Sequence, residues 1–400
     1  MPRVPTSRVR AAIAAAFLVQ GLVFVTLTTR LPQFSDRWDL DEVELSLILL
    51  AIVLLAGVGS VLAERVAARR DSATMLRAGL LLVALAVPVF SAAPSVLVLV
   101  GGLVLYGLGV GIVDATTNMQ GVALEHRVDR PLLPSFHGAW TLGGVLGAAG
   151  TLVAAEAPLP AVGLLGLAPL AVAFLPYAAR DHGPADGPEV EVPWRPLWLV
   201  GAGLVLFYSV DTAAASWGPT YLDRTLDSPE RLVALATFPY LLASGLVRLA
   251  GDHLVAGLGP VKVLRAGAVV AFVALALVVF APSWQVAVAG FTLLGAGVAV
   301  IAPLSFSAAA RIAAGDDAGD ADPAARHARV DAVIARFNQF NYAGALIGSV
   351  LTGLVGAGSL RVGFAVPMVL VLAMLPLARA FAPAPRALGT RAPAAPPAPR

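Results

Sequence analysis

Two polar residues four apart, Asp114 and Asn118, interrupt a stretch of the chain that is otherwise apolar and glycine-rich. The run from Ser95 to Leu108 directly upstream carries no charge. At a rise of about 1.5 Å per residue, Asp114 lies about 27 Å from the start of that run and about 20 Å from Arg127, near the middle of a membrane-spanning helix. Residues four apart share a helical face, so the acid and the amide form one polar stripe. Gly107 and Gly111 repeat the same spacing and let a second helix pack closely beside it. A carboxylate inside hydrocarbon is costly and marks a polar cavity or an ion pathway by default. Two kinds of chemistry suit it: proton exchange, or polar contact with a solute. The structural alternative is an acid paired with Asn118 or with a buried arginine.

A second acid, Asp211, lies about 21 Å into a later apolar run, again near its centre, with Ser209 and Thr212 beside it. We read it with Asp114 as a proton-coupling candidate. Arg30 closes the first apolar run, either as a cavity residue or as a cation snorkelling to the interface. His137 and Trp140 open another run, where a histidine can switch charge near neutral pH or simply join an interfacial belt. The segment Arg336-Phe-Asn338-Gln339-Phe-Asn341-Tyr342 is unusually polar for a span, which suits a vestibule that touches substrate. Arg248 and Asp252, four apart, form an ion pair or a latch. With Asn118, Gln120 and Trp217, these complete the candidate solute-contacting and gating set.

These residues are carried by membrane helices. The chain has 400 residues, 58% hydrophobic and 13% charged, with mean hydropathy +0.83, well outside the range of soluble domains. Apolar runs of the length that crosses a bilayer occur twelve times, near 9–31, 43–63, 74–93, 96–121, 135–155, 160–178, 197–219, 231–255, 262–281, 284–310, 331–356 and 360–381. An even count puts both termini on one side. That side holds all but Arg30, Arg37, Arg224, Arg231 and Arg361 of the 27 Lys/Arg residues, so the positive-inside rule predicts cytoplasmic termini. No cysteine is present, which excludes disulfides and thiolate metal sites. The basic pI follows from arginines in loops and tails and does not indicate nucleic acid.

The predicted organisation is a cytoplasmic tail at 1–8, six helices over 9–178, a polar linker at 179–196, six helices over 197–381 and a disordered Ala/Pro-rich tail at 382–400. The acidic loop Gly315–Pro323 lacks the spacing of a calcium loop and reads as a solvated linker. The halves repeat. Gly109-Val-Gly111 answers Gly295-Ala-Gly297 at an offset of 186 residues, Pro32 answers Pro219 at 187, and Gly143-xxx-Gly147 answers Gly344-xxx-Gly348 at 201. Parallel six-helix repeats with a solute site between them are a transporter plan. On that alignment Asp114 and Asn118 correspond to Val300 and Leu304, so the polar pair belongs to the first half alone.

The chain resembles the major facilitator superfamily, in its fucose-permease-like, YbjJ-type branch. The resemblance is carried by Thr29-Arg30-Leu31-Pro32, Gly109-xxxx-Asp114-xxx-Asn118-x-Gln120, and Arg130-Pro131 followed by Ser135-Phe136-His137-xx-Trp140-x-Leu142-Gly143-Gly144. Trp217 with Tyr221-Leu222, Arg248-Leu-x-Gly251-Asp252 and Tyr342-Ala-Gly344 extend it over about residues 10–380. It implies an all-α membrane protein of two pseudo-symmetric six-helix halves, with a helix-four acid, here Asp114, in proton coupling. The loop between helices two and three departs from the family pattern, reading Ser60-Val-Leu-Ala-Glu64-Arg65-Val-Ala-Ala-Arg69-Arg70 without its two glycines. Glu64, Arg65 and Arg69 are nonetheless its gate or latch candidates. Helix five lacks the proline of proton-linked drug antiporters.

No phosphate-binding loop, nucleophile elbow or zinc motif is present, so no enzyme activity, cofactor or metal is expected. The function expected is secondary transport of a small polar solute by alternating access, coupled to protons, by a monomer in the cytoplasmic membrane. Export of a metabolite or drug, and a non-transporting receptor of the same fold, are the rival readings. Lipid and small molecules are the expected partners, and nucleic acid is not.

Overall fold

The computed structural model describes residues 5–67, 71–128, 132–178, 192–315, 330, 333–334 and 336–382. Arg69, Arg130, Pro131, most of the linker, the acidic loop beyond Gly315 and the tail from residue 383 lie outside them. The described chain is helical throughout. We number its membrane helices α1 (Thr6–Thr29), α2 (Glu42–Ala67), α3 (Ser72–Ser91), α4 (Val96–Val128), α5 (Leu133–Val153) and α6 (Leu159–Ala173). After the linker come α7 (Trp194–Arg224), α8 (Phe238–Leu258), α9 (Pro260–Val279), α10 (Trp284–Ala314), α11 (339–355) and α12 (Leu360–Phe381). Among the described residues, nine helices are long and apolar enough to cross a membrane. Nine of the twelve predicted runs match these helices to within about five residues; α4 continues seven residues beyond its run, and α8 and α11 begin seven and eight residues after theirs.

A short helix, Leu31–Trp38, joins α1 to α2. Pro32 sits in its first turn, where a missing N–H costs nothing. Asp39, left-handed at φ 51°, ends it.

Buried apolar residues gather in two clusters. One draws on residues 9–178; the other draws on 192–381, with Val25, Leu45 and Ala148 inserted from the first six helices. Water expulsion gives little drive for helix association within lipid, so close backbone approach and polar links carry the packing. A Cβ added at Gly143 would stand 1.9 Å from the Leu18 carbonyl oxygen, and one at Gly111 would stand 1.8 Å from that of Ala56. These two glycines set the α1–α5 and α2–α4 contacts. Thr29 and Thr151, hydroxyl to hydroxyl at 2.9 Å, join α1 to α5 a little further along.

α4 and α10 differ where the repeat predicts equivalence. α4 runs unbroken through Asp114, whereas α10 is interrupted at Ala299–Val300. Pro303 is the physical cause: it has no N–H for the Ala299 carbonyl four residues earlier, and its ring crowds that oxygen. Arg248 Nε donates to the freed Ala299 oxygen at 3.0 Å. The glycine pairs also exchange roles. Gly111 faces α2 and Gly109 faces α3, but Gly295 faces α8 and Gly297 faces α9.

Candidate functional site

The Asp114 carboxylate is half-buried and accepts two hydrogen bonds from opposite sides of the bundle. Gln20 Nε2 on α1 donates to Oδ1 at 3.1 Å, and the Tyr342 hydroxyl on α11 donates to Oδ2 at 2.5 Å. The first bond stays within the first six helices; the second crosses to the last six. Asn118 does not pair with the carboxylate. Its amide turns back along the helix to the Asp114 carbonyl oxygen at 2.9 Å.

Around this acid the described residues form a ring drawn from five helices. His137 and Tyr208 lie within electrostatic reach of Asp114, and Arg248 lies within reach of both. His137 meets the Phe17 ring edge-on at 5.2 Å, and Trp140 lies against Phe24 at 6.0 Å. On α7, Asp211 accepts a hydrogen bond from the Tyr240 hydroxyl of α8. Arg248 Nη1 reaches Thr141 on α5 at 3.4 Å, a second polar link across the two sets of helices. Asn338 and Asn341 are half-buried on the α11 side of the same region, one turn or less from Tyr342.

Other expected residues stand apart from the ring. Gln120 is fully buried and binds Ser72 Oγ at 2.8 Å, Ala178 O at 3.1 Å and Ala178 N at 2.8 Å, tying the start of α3 and the segment that follows α6 to α4. Trp217 is also buried, and its indole N–H donates to the Ser349 carbonyl at 2.7 Å. That carbonyl belongs to a single π turn, 347–351, in α11, which shifts backbone groups out of α-helical pairing. Both side chains are structural in this arrangement. A Trp217→Phe variant therefore loses this buried hydrogen bond and lowers stability by about 0.5–1.5 kcal/mol, which thermal unfolding in detergent measures. Arg30 is 4% exposed and donates to Ala154 O, Ala157 O and Gln33 Oε1. It ties the end of α1 to the end of α5. Glu64 and Arg65 are exposed at the far end of α2; the Asp252 side chain and Arg69 lie outside the described residues.

The sequence reading missed the polar hub at the α7 end of the bundle. Arg224 donates to Ser35 Oγ at 2.5 Å and Leu40 O at 3.2 Å, and pairs with Asp36 at 3.4 Å and Glu42 at 3.6 Å. Beside it, Gln33 Nε2 donates to Glu230 Oε1 at 2.8 Å. Both links join the two sets of helices. A signal was present: Pro32-xxx-Asp36-Arg37 and Pro219-xxx-Asp223-Arg224 are the same motif at the repeat offset of 187. Arg37 binds the Ala93 carbonyl of its own half at 2.9 Å, whereas Arg224 crosses to the other half. Gln20, Tyr208 and Tyr240 were missed as well. Gln20 is the lone amide in α1; the tyrosines read as apolar in a sequence scan.

No family model matches the chain. It is 26% identical over 376 residues to an uncharacterised MFS-type transporter of Yersinia pestis, covering 91% of this chain and 94% of that one. Its fold is similar to a crystal structure of the nucleoside transporter NupG, with a TM-score of 0.70 at 11% identity over 94% of this chain and 99% of that one. It is also similar to the E. coli fucose:proton symporter FucP, with a TM-score of 0.57 at 16% identity over 94% and 98% of the two chains. All three are named as transporters, and the two solved structures share the fold of this chain.

Proposed function

We propose, for a chain that is a secondary transporter with the major facilitator superfamily fold, that it carries a small polar solute inward together with a proton. Asp114 is the proton-coupling group. One observation carries this reading: a carboxylate at mid-helix depth is held by Gln20 from its own half and by Tyr342 from the other. A charge in that place is retained only at a cost, and a proton is the smallest ligand that removes the cost. Asp211 on α7, which accepts from Tyr240, is the second proton-coupling candidate and comes from the other half. His137, Trp140, Asn338, Asn341 and Arg248 supply polar and aromatic surface for the solute between them.

In this reading the halves 9–178 and 197–381 rock about the ring, with both termini in the cytoplasm and the chain a monomer in the inner membrane. The hub at Arg224 then closes the outer side. Uptake into liposomes under an imposed pH gradient, measured across monosaccharides and nucleosides, tests the function. Transport of none of them by folded protein under that gradient would contradict it.

The outer closure has its own test. Leu45 on α2 is buried among second-half residues behind the hub, and the chain has no native cysteine. A cysteine at position 45 resists a membrane-impermeant thiol reagent in the parent protein. An Arg224→Ala change raises its labelling rate, because four polar contacts to the other half are lost together. The hub is partly exposed, so each ion pair contributes modestly, about 0–1 kcal/mol. An unchanged rate would remove Arg224 from the gate.

A further inference from the structure

We infer that Tyr342 is the positioning residue through which the charge of Asp114 controls contact between the two halves. An ionised carboxylate only accepts, and both donors found at Asp114 suit that state: an amide N–H from Gln20 and a hydroxyl from Tyr342. A hydrogen bond to a charged acceptor is about twice as strong as one between neutral groups. Protonation of Oδ2 removes the charge assistance and leaves Tyr342 with a neutral, weaker partner. The Gln20 bond lies within one half and moves with it. The Tyr342 bond spans 228 residues of sequence and is the one that separates when the halves part. Ionised Asp114 therefore holds α11 against α4, and a proton weakens that hold. The inference rests on Asp114 as the coupling group and adds the part that converts its charge into motion.

Other charges face the pair and must be separated from it. Glu64 on α2 lies within reach of Tyr342, and His137 on α5 and Tyr208 on α7 lie within reach of Asp114. Arg248 on α8 reaches His137, Tyr208 and Asp211. From α1 the facing group is the neutral Gln20. Arg77 of α3 is engaged elsewhere, against Leu175 O and the Tyr177 ring. His137 is the one rival group whose ordinary titration range overlaps neutral pH.

The experiment places a single cysteine at Asn338, four residues before Tyr342 at the start of α11, and follows its labelling in full-length protein as pH falls, each rate divided by that of the denatured protein at the same pH so that thiolate titration cancels. A switch that binds one proton changes a conformational ratio by at most about tenfold per pH unit, and labelling rises with that steepness. Tyr342→Phe gives fast labelling with no pH dependence. His137→Gln leaves the pH dependence in place. Asp114→Asn serves as the second route should the Tyr342 variant fail to fold: its amide cannot change charge, and labelling no longer responds to pH. A Tyr342→Phe protein that keeps the parent's pH response while Asp114→Asn loses it overturns the role of Tyr342 and leaves Asp114 standing. A pH response that survives Asp114→Asn overturns both.

Discussion

An Asp114→Asn protein in liposomes exchanges its solute across the membrane but no longer accumulates it against a gradient when the outside is acidified. Asparagine keeps the size of the side chain and one oxygen for the Gln20 or Tyr342 donor, so the folded state and the solute site persist. It cannot bind a proton. A pH difference of one unit is worth about 1.4 kcal/mol per proton, which supports an accumulation ratio of about tenfold in a one-to-one symporter. The parent protein approaches that ratio. The variant stays at equal concentrations inside and out, while counterflow of labelled solute continues. Accumulation by the variant at the parent level would show that the proton travels by another route.

A Gly111→Val change has the largest expected effect on folding. The added Cβ would lie 1.8 Å from the Ala56 carbonyl oxygen and 2.5 Å from its carbonyl carbon. The obstacle is backbone on a neighbouring helix and has no rotamer to escape into. Overpacking of a core by extra methylenes already costs about 1–3 kcal/mol, and here α2 and α4 must separate along their shared face. The contrast is Gly101, also on α4, where nothing lies within 4 Å of an added Cβ. Size-exclusion profiles and unfolding temperatures of the two variants provide the comparison. Gly101→Val behaves as the parent, whereas Gly111→Val yields little monodisperse protein.

The sequence made the spans legible because each is an uncharged apolar run ended by charged or turn residues. Asp114 was legible for the same reason, as a charge where hydrocarbon forbids one. Its partners were not. Gln20 is 94 residues away and Tyr342 is 228 away, and no local pattern records which faces of α1, α4 and α11 meet. Tyr342 stood out in a polar segment, but as a solute contact and not as a hydrogen-bond donor to the acid. Trp217 and Gln120 looked functional because polar or aromatic groups in spans are conspicuous. Their roles depend on the Ser349 carbonyl in the π turn of α11 and on the Ala178 backbone beyond α6, neither of which a local pattern records. The repeat aligns α4 with α10, yet Pro303 breaks α10 at the position matching Asp114 and gives Arg248 a carbonyl to hold. Pseudo-symmetry in sequence therefore predicted the scaffold better than the contacts made inside it.

The most direct test of proton coupling runs the transporter backwards. Liposomes without an imposed pH difference, carrying a pH-sensitive dye inside, receive an external pulse of a transported solute. The account predicts that solute flowing down its gradient carries protons in and acidifies the interior, and that Asp114→Asn abolishes the acidification while solute entry continues. Solute entry through the parent protein with no change in internal pH would contradict it.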